Sequence, residues 1–100
     1  MILNNFNAVI LHPTSAASID VEFPNDILIS EIVNQLIDFG FLDDGCEYSA
    51  ILRYYCEKQK GDLCIKLDIN KTMMQHGVGG MMGVINLHRI NTQVCGETQN

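Results

Sequence analysis

Residues 18 to 40 read Ser18-Ile-Asp-Val-Glu-Phe-Pro24-Asn-Asp-Ile-Leu-Ile29-Ser-Glu-Ile-Val-Asn-Gln-Leu-Ile-Asp-Phe-Gly40, and the hydrophobic period changes part-way along. From Ser18 to Phe23 polar and apolar residues alternate, with Ile19, Val21 and Phe23 on one face and Ser18, Asp20 and Glu22 on the other, the two-residue period of a half-buried strand. Pro24 ends the ladder because it has no N–H to donate, and Asn25-Asp26 favour a turn or a helix entry. From Ile29 the apolar positions Ile29, Ile32, Val33, Leu36 and Ile37, with Phe39 as a marginal member, follow a period of 3.6 and predict an amphipathic helix of about three turns. Asp26 and Ser30 are both candidate N-caps, and Gly40 is a natural C-terminal stop.

The flanks fit around this strand and helix. Upstream, Asn7 to His12 carries the short apolar run Ala-Val-Ile-Leu suited to a well-buried strand, and the Pro13–Ala17 connection makes it a hairpin with the alternating segment. Downstream, a polar turn, Asp43-Asp-Gly-Cys-Glu47, leads into a strand-like stretch from Tyr48 to Gln59. With Arg53 toward water, Ile51, Arg53 and Tyr55 share its face while Ala50, Leu52, Tyr54 and Cys56 point inward. A Lys60-Gly61-Asp62 turn then separates this stretch from Leu63-Cys-Ile-Lys-Leu67, a second hairpin. Thr72 is placed to cap one helical turn of Met73, Met74 and Gln75 before His76-Gly77, and Gly79-Gly80 form a loop or hinge. Met82 to Ile90 reads as the last strand, with Ile85 and Leu87 inward and Val84, Asn86 and His88 outward. Residues 1–90 make one domain, and 91–100 are expected to form a flexible polar tail.

One hundred residues, 47% of them hydrophobic, suffice for one core without metals or disulfides and exclude a multidomain machine. Net charge is −6, so non-specific attraction to nucleic acid or anionic lipid is not expected. The charge is lopsided: no Lys or Arg occurs before Arg53. The acids are therefore expected on the first hairpin, the helix and its exit loop, giving an acidic helix side and a near-neutral or slightly basic sheet side where a partner would meet Arg53 and Arg89. No apolar stretch has the length of a membrane span and Met1-Ile-Leu-Asn-Asn-Phe-Asn lacks the pattern of a signal peptide, so a cytoplasmic location is expected.

Chemistry-bearing motifs are weak. Cys46, Cys56, Cys64 and Cys95 contain no C-x-x-C pair and are expected to be reduced, at least two of them filling the core. Cys46 with His76 as a catalytic couple, His12, His76 and His88 as a metal site, and Asp43, Asp44 and Glu47 as a calcium loop all lack a supporting motif or spacing, and packed thiols and solvated loops are the expected reading. No enzyme activity and no cofactor or metal is expected. The doublets Met73-Met74 and Met81-Met82 are read as half core and half exposed.

The order strand, strand, helix, strand, strand, short turn, strand resembles the ubiquitin-like β-grasp, an α+β fold with a mixed sheet of four to five strands packed on one helix. Three stretches carry the resemblance: Ile19 through Leu36, the connector Lys71-Thr-Met-Met-Gln-His-Gly-Val78, and the closing strand Val84-Ile-Asn-Leu-His-Arg-Ile90. Within that superfamily the chain is similar to the bacterial YukD-like group of type VII secretion systems, in the aromatic third strand, Leu52 to Tyr55, and in the glycine-containing connector Gly77 to Gly83. It departs from the group where Gly80-Met-Met-Gly83 replaces an acidic turn.

The resemblance implies a non-enzymatic module that binds a protein partner through exposed residues of the third and fifth strands. By position these are Ile51, Arg53, Tyr55, Asn86 and His88, a mixture of aliphatic, aromatic and cationic groups suited to a binding hot spot. Self-association is a further possibility. The alternative is a protein modifier or sulfur carrier matured by cleavage near Gly96, which needs a terminal glycine that Gly96-Glu-Thr-Gln-Asn100 does not supply without processing.

Overall fold

A computed structural model of the chain describes residues 5–78 and 81–90. The tail 91–100, the Gly79-Gly80 hinge, Cys95 and Gly96 lie outside them. Among the described residues five strands and one helix follow in the order β1 (Asn5–Leu11), β2 (Ser18–Pro24), α1 (Ile29–Phe39), β3 (Tyr48–Cys56), β4 (Gly61–Leu67) and β5 (Met82–Arg89), with a 3₁₀ turn at Met74–His76 before β5. The strands form one mixed sheet in the spatial order β2-β1-β5-β3-β4. β1–β2 and β3–β4 are antiparallel hairpins, and β5 enters between them, parallel to β1 and antiparallel to β3.

The two-residue period decides which side of each strand enters the core. Phe6, Ala8 and Ile10 of β1, Phe23 of β2, Ala50 and Leu52 of β3, Leu67 of β4, and Ile85 and Leu87 of β5 are buried. The apolar face of α1, Ile29, Ile32, Val33 and Leu36, joins the same cluster, so the helix covers one side of the sheet and leaves the other to solvent. Phe6 and Phe23 are register partners whose rings stack at 5.7 Å between centroids, tying the β2 edge to its neighbour.

The expected elements differ from the observed ones mainly at their ends. β3 stops at Cys56 because residues 57–60 form the turn, with Lys60 in the left-handed region at φ 54° and Cys56 pairing with Gly61. Phe39 is 76% exposed: it lies one residue before Gly40, whose φ of 95° turns the chain out of the helix. Phe41 and Leu42 then fold back to donate to Leu36 O, and Leu42 is buried in place of Phe39. Neither Asp26 nor Ser30 caps α1. Leu28 occupies the N-cap without a side-chain bond, and the helix N–H groups of Ile29 and Ser30 donate instead to Lys71 O (3.0 Å) and Ile69 O (2.7 Å) of the segment after β4.

Thr72 does cap its short turn. Its hydroxyl accepts from Gln75 N at 3.0 Å while the Gln75 side chain accepts from Thr72 N at 2.9 Å, a reciprocal capping box. The methionines divide unevenly, with Met73 fully buried and Met74, Met81 and Met82 exposed. Among the described cysteines none lies in the fully buried core: Cys46 packs against it, Cys56 is half-buried and Cys64 is exposed.

Insertion of β5 between two hairpins depends on Gly83. A Cβ there would stand 2.7 Å from Arg53 O and 2.8 Å from Leu52 Cδ1, and backbone cannot yield as a flexible side-chain end can. Gly83→Ala is expected to lower stability by about 1 to 3 kcal/mol in urea unfolding. Gly61→Ala, whose added methyl would meet only Gln59 O at 3.9 Å, is expected to stay within about 1 kcal/mol of the parent.

Candidate functional site

The side of the sheet opposite α1 is built from the residues that alternate with the core. Register arranges them in cross-strand rows. One row runs Asp20, Val9, Val84, Arg53, Cys64 from β2 to β4, and the next runs Ser18, Leu11, Asn86, Ile51, Lys66. Ile51 and Asn86 are direct cross-strand neighbours, and His88 sits beside Ser49, diagonal to Ile51. Tyr55 lies two residues beyond Arg53 on β3 and pairs with Asp62 of β4. All five residues singled out from the sequence therefore share this face. Arg53, Tyr55 and His88 are exposed and Ile51 and Asn86 half-buried, a flat patch with an aliphatic centre and polar margins.

Alternation set Val84 outward with Asn86 and His88, but it did not show which residues complete the surface beside them. Val84 stands directly opposite Arg53 and Lys66 directly opposite Ile51. Toward the other edge, Asn7, Val9, Asp20, Glu22, Met82 and Val84 line an open concavity of about 600 Å³ across β2, β1 and β5. The alternation in β2 already set Asp20 and Glu22 opposite Ile19, Val21 and Phe23; what it lacked was the register that carries them onto the same face as Arg53.

That register corrects the expected charge distribution. Asp20 and Glu22 put two acids on the sheet side, so this side is not uniformly neutral or basic. Arg89 is absent from it as well, because it shares the inward parity of Ile85 and Leu87 and pairs across to Tyr48. Its guanidinium forms an ion pair with Asp43 at 2.5 Å. The sheet side instead carries acid along β2 and the cations Arg53 and Lys66 on β3 and β4.

Tyr48 anchors the corner where Arg89 sits. Its side chain is 3% exposed, and its hydroxyl donates to Asp43 O at 2.9 Å and accepts from Asp43 N at 3.1 Å, closing the loop after α1. Burial is the main cause raising the phenol above its ordinary value of 10.0, and the nearby Cys46 adds to it.

The other chemistry-bearing residues are engaged locally. His76 is bonded at both ring nitrogens, Nδ1 to Thr72 O at 2.7 Å and Nε2 to Asp68 N at 2.9 Å, so it is held between the end of β4 and the capped turn with no nitrogen left for Cys46. His12 Nδ1 accepts from Thr14 N and Ser15 N, and its ring meets Phe41 edge-on at 5.3 Å. Asp44 accepts from Gly45 N. Among the described residues no group of three or more His, Cys, Asp or Glu side chains gathers into a metal-binding cluster, and no helix is long and apolar enough to cross a membrane. The chain matches no protein-family model and no curated protein sequence.

Two stability measurements separate this face from the corner beside it. Arg53→Ala and Tyr55→Ala are expected to shift stability by no more than about 0.5 kcal/mol each, as exposed substitutions do. Tyr48→Phe is expected to cost about 1 to 2 kcal/mol through the unpaired Asp43 N–H and C=O. A phenol that is harder to ionise folded than unfolded contributes fully below its ordinary value of 10.0, and that contribution is lost as pH rises through the higher folded value. The Tyr48→Phe variant should therefore lose less stability than the parent between neutral and strongly alkaline pH, read by denaturant titration across that range.

Proposed function

We propose that the chain is a non-enzymatic, ubiquitin-like interaction module of β-grasp type, similar to the YukD-like proteins. It serves as an accessory or regulatory component of a bacterial type VII secretion system and binds a protein partner through Ile51, Arg53, Tyr55, Asn86 and His88. The observation that carries the reading is the sheet order β2-β1-β5-β3-β4 with its parallel β1–β5 pair and a single helix between β2 and β3, the arrangement expected of a β-grasp. Such a sheet leaves one face open. Here that face presents an aromatic ring, a guanidinium and an aliphatic residue at neighbouring positions of β3, the residue types that dominate binding energy when a partner excludes water from them. The pathway rests on the likeness of Leu52–Tyr55 and of the Gly77–Gly83 connector to that group.

Affinity capture with the tagged full chain, expressed in the cells that make it, tests both parts of the reading. The double variant Arg53→Ala, Tyr55→Ala should retain at most about a tenth of the partner captured by the parent, the loss expected when two hot-spot side chains are truncated. Undiminished capture would remove this face as the docking surface. A secretion-apparatus component in the captured fraction supports the pathway, whereas an activating enzyme there would move the chain to the modifier or carrier route.

A further inference from the structure

We propose that the concavity across β2, β1 and β5 docks a segment of a partner protein that alternates cationic and aliphatic side chains, its cation held by Asp20 and Glu22 and its aliphatic groups by Val9, Val84 and Met82. This rests on the reading of the open sheet face as a docking surface and names the chemistry of what one end of it receives.

Register supplies the geometry. Asp20 and Val9 are direct partners, as are Val9 and Val84, and Glu22 stands opposite Asn7, which stands opposite Met82. Each row thus runs from an acid at the β2 edge to an apolar residue on β5. The two acids are two residues apart on one strand, so their Cα atoms lie roughly 7 Å apart, and both are exposed. Glu22 accepts from the Asn5 side-chain amide at 2.7 Å, but among the described residues neither acid forms an ion pair. Arg53, the closest cation in the same row, is separated from Asp20 by the two intervening strands β1 and β5. Two like charges side by side repel at low salt, and a cation placed between them relieves that repulsion and gains from both.

The floor selects against a purely ionic ligand. Met82 is 69% exposed, and its unbranched thioether adapts to aliphatic shapes. With Val9 and Val84 it offers apolar surface beside the acids, and the concavity of about 600 Å³ accommodates several side chains. An anionic headgroup or phosphate would meet Asp20 and Glu22 without a compensating cation. A second copy of this chain, at net charge −6, brings the same acids to the encounter. A basic and aliphatic segment is the occupant that satisfies both halves of the surface.

The probe is a short synthetic peptide alternating Lys with Val and Leu, set against the same peptide with Glu in place of Lys, each titrated into the isotope-labelled full chain and followed by amide chemical shifts. The basic peptide should move the signals of Asn7 to Val9, Asp20 to Glu22 and Val84, and the acidic one should move none of them. Raising ionic strength from about 50 to about 500 mM should weaken the binding, since the Debye length falls to a few ångströms. The variant Asp20→Asn, Glu22→Gln should bind about tenfold more weakly, the scale of two exposed ion pairs, while Glu31→Gln, Asp38→Asn on the helix should bind as the parent does. Absence of shifts, shifts confined to the helix face, or equal binding by the Asp20→Asn, Glu22→Gln variant would overturn the proposal. If that happens while Arg53→Ala, Tyr55→Ala still abolishes partner capture, only the concavity is lost; if both variants behave as the parent, the docking face itself is wrong.

Discussion

The hydrogen-bonded insertion of β5 between β1 and β3 is the constraint on which the rest of the structure depends. Without it the chain is two hairpins, β1–β2 and β3–β4, that share no ladder. The last strand in sequence therefore completes the sheet, parallel to the first strand and antiparallel to the third. Both pairings are non-local, so chain closure must be achieved before they contribute, and folding is slower than for a protein of similar size with local contacts. Gly83 is where this constraint meets a single residue: β5 approaches β3 so closely that a Cβ on Gly83 would press on Arg53 O and the Leu52 side chain.

The helix depends on the same closure from its other end. Its first N–H groups are satisfied by Lys71 O and Ile69 O, carbonyls of the segment that leads from β4 to β5, and Leu28 and Thr72 form an isolated bridge there. Met74 N donates to Asn25 O, and His76 spans Asp68 N and Thr72 O within the connector. One stretch of chain thus caps α1, orders its own turn and delivers β5 to its place. A helix whose N-terminus is completed by distant backbone cannot be fully formed until that backbone has arrived, which couples the helix to the sheet in one cooperative unit.

This coupling explains what was legible in the sequence. The strand alternation at Ser18–Phe23, the helical period from Ile29, the Gly40 stop and the Thr72 cap are local signals, each written within a few residues, and each is found in the structure. The α1 N-cap was not legible, because Asp26 and Ser30 satisfied the local rule while the actual acceptors lie some forty residues downstream. Phe39 counted as apolar in the periodicity, yet Gly40 reverses the chain beside it and Leu42 is buried instead. The five residues of the proposed docking face share a side because alternation within β3 and within β5 was correct, and register then did the rest. The charge of that face was misread for the complementary reason. The inward parity of Arg89 follows from Ile85 and Leu87 by the strand period alone, but setting Asp20 in the row of Val9 and Val84, and Arg89 across from Tyr48, requires knowing which strands are neighbours.

The corrected charges alter what the open face can discriminate. A face carrying only Arg53 and Arg89 would attract any acidic partner with little regard to its direction. The observed face instead runs from the acids of β2, through the apolar strip of Val9 and Val84, to Arg53 and Lys66 on β3 and β4. A partner carrying complementary charges at its two ends, docked there as proposed, would gain from ion pairing at both ends only in one orientation, since reversal sets like charges against each other at both edges. The exposed ion pairs themselves contribute little affinity. For a partner docked on this face as proposed, binding energy would fall to the central apolar and aromatic groups, and the charged edges would act on direction and rate of encounter. Asp62 beside Tyr55 sharpens this division by placing an acid at the β4 edge near the aromatic ring, so that the cationic zone is confined to the rows of Arg53 and Lys66. The net charge of −6 describes how far the chain repels its own copies, and the distribution across five strands describes which way round a partner docked as proposed would sit.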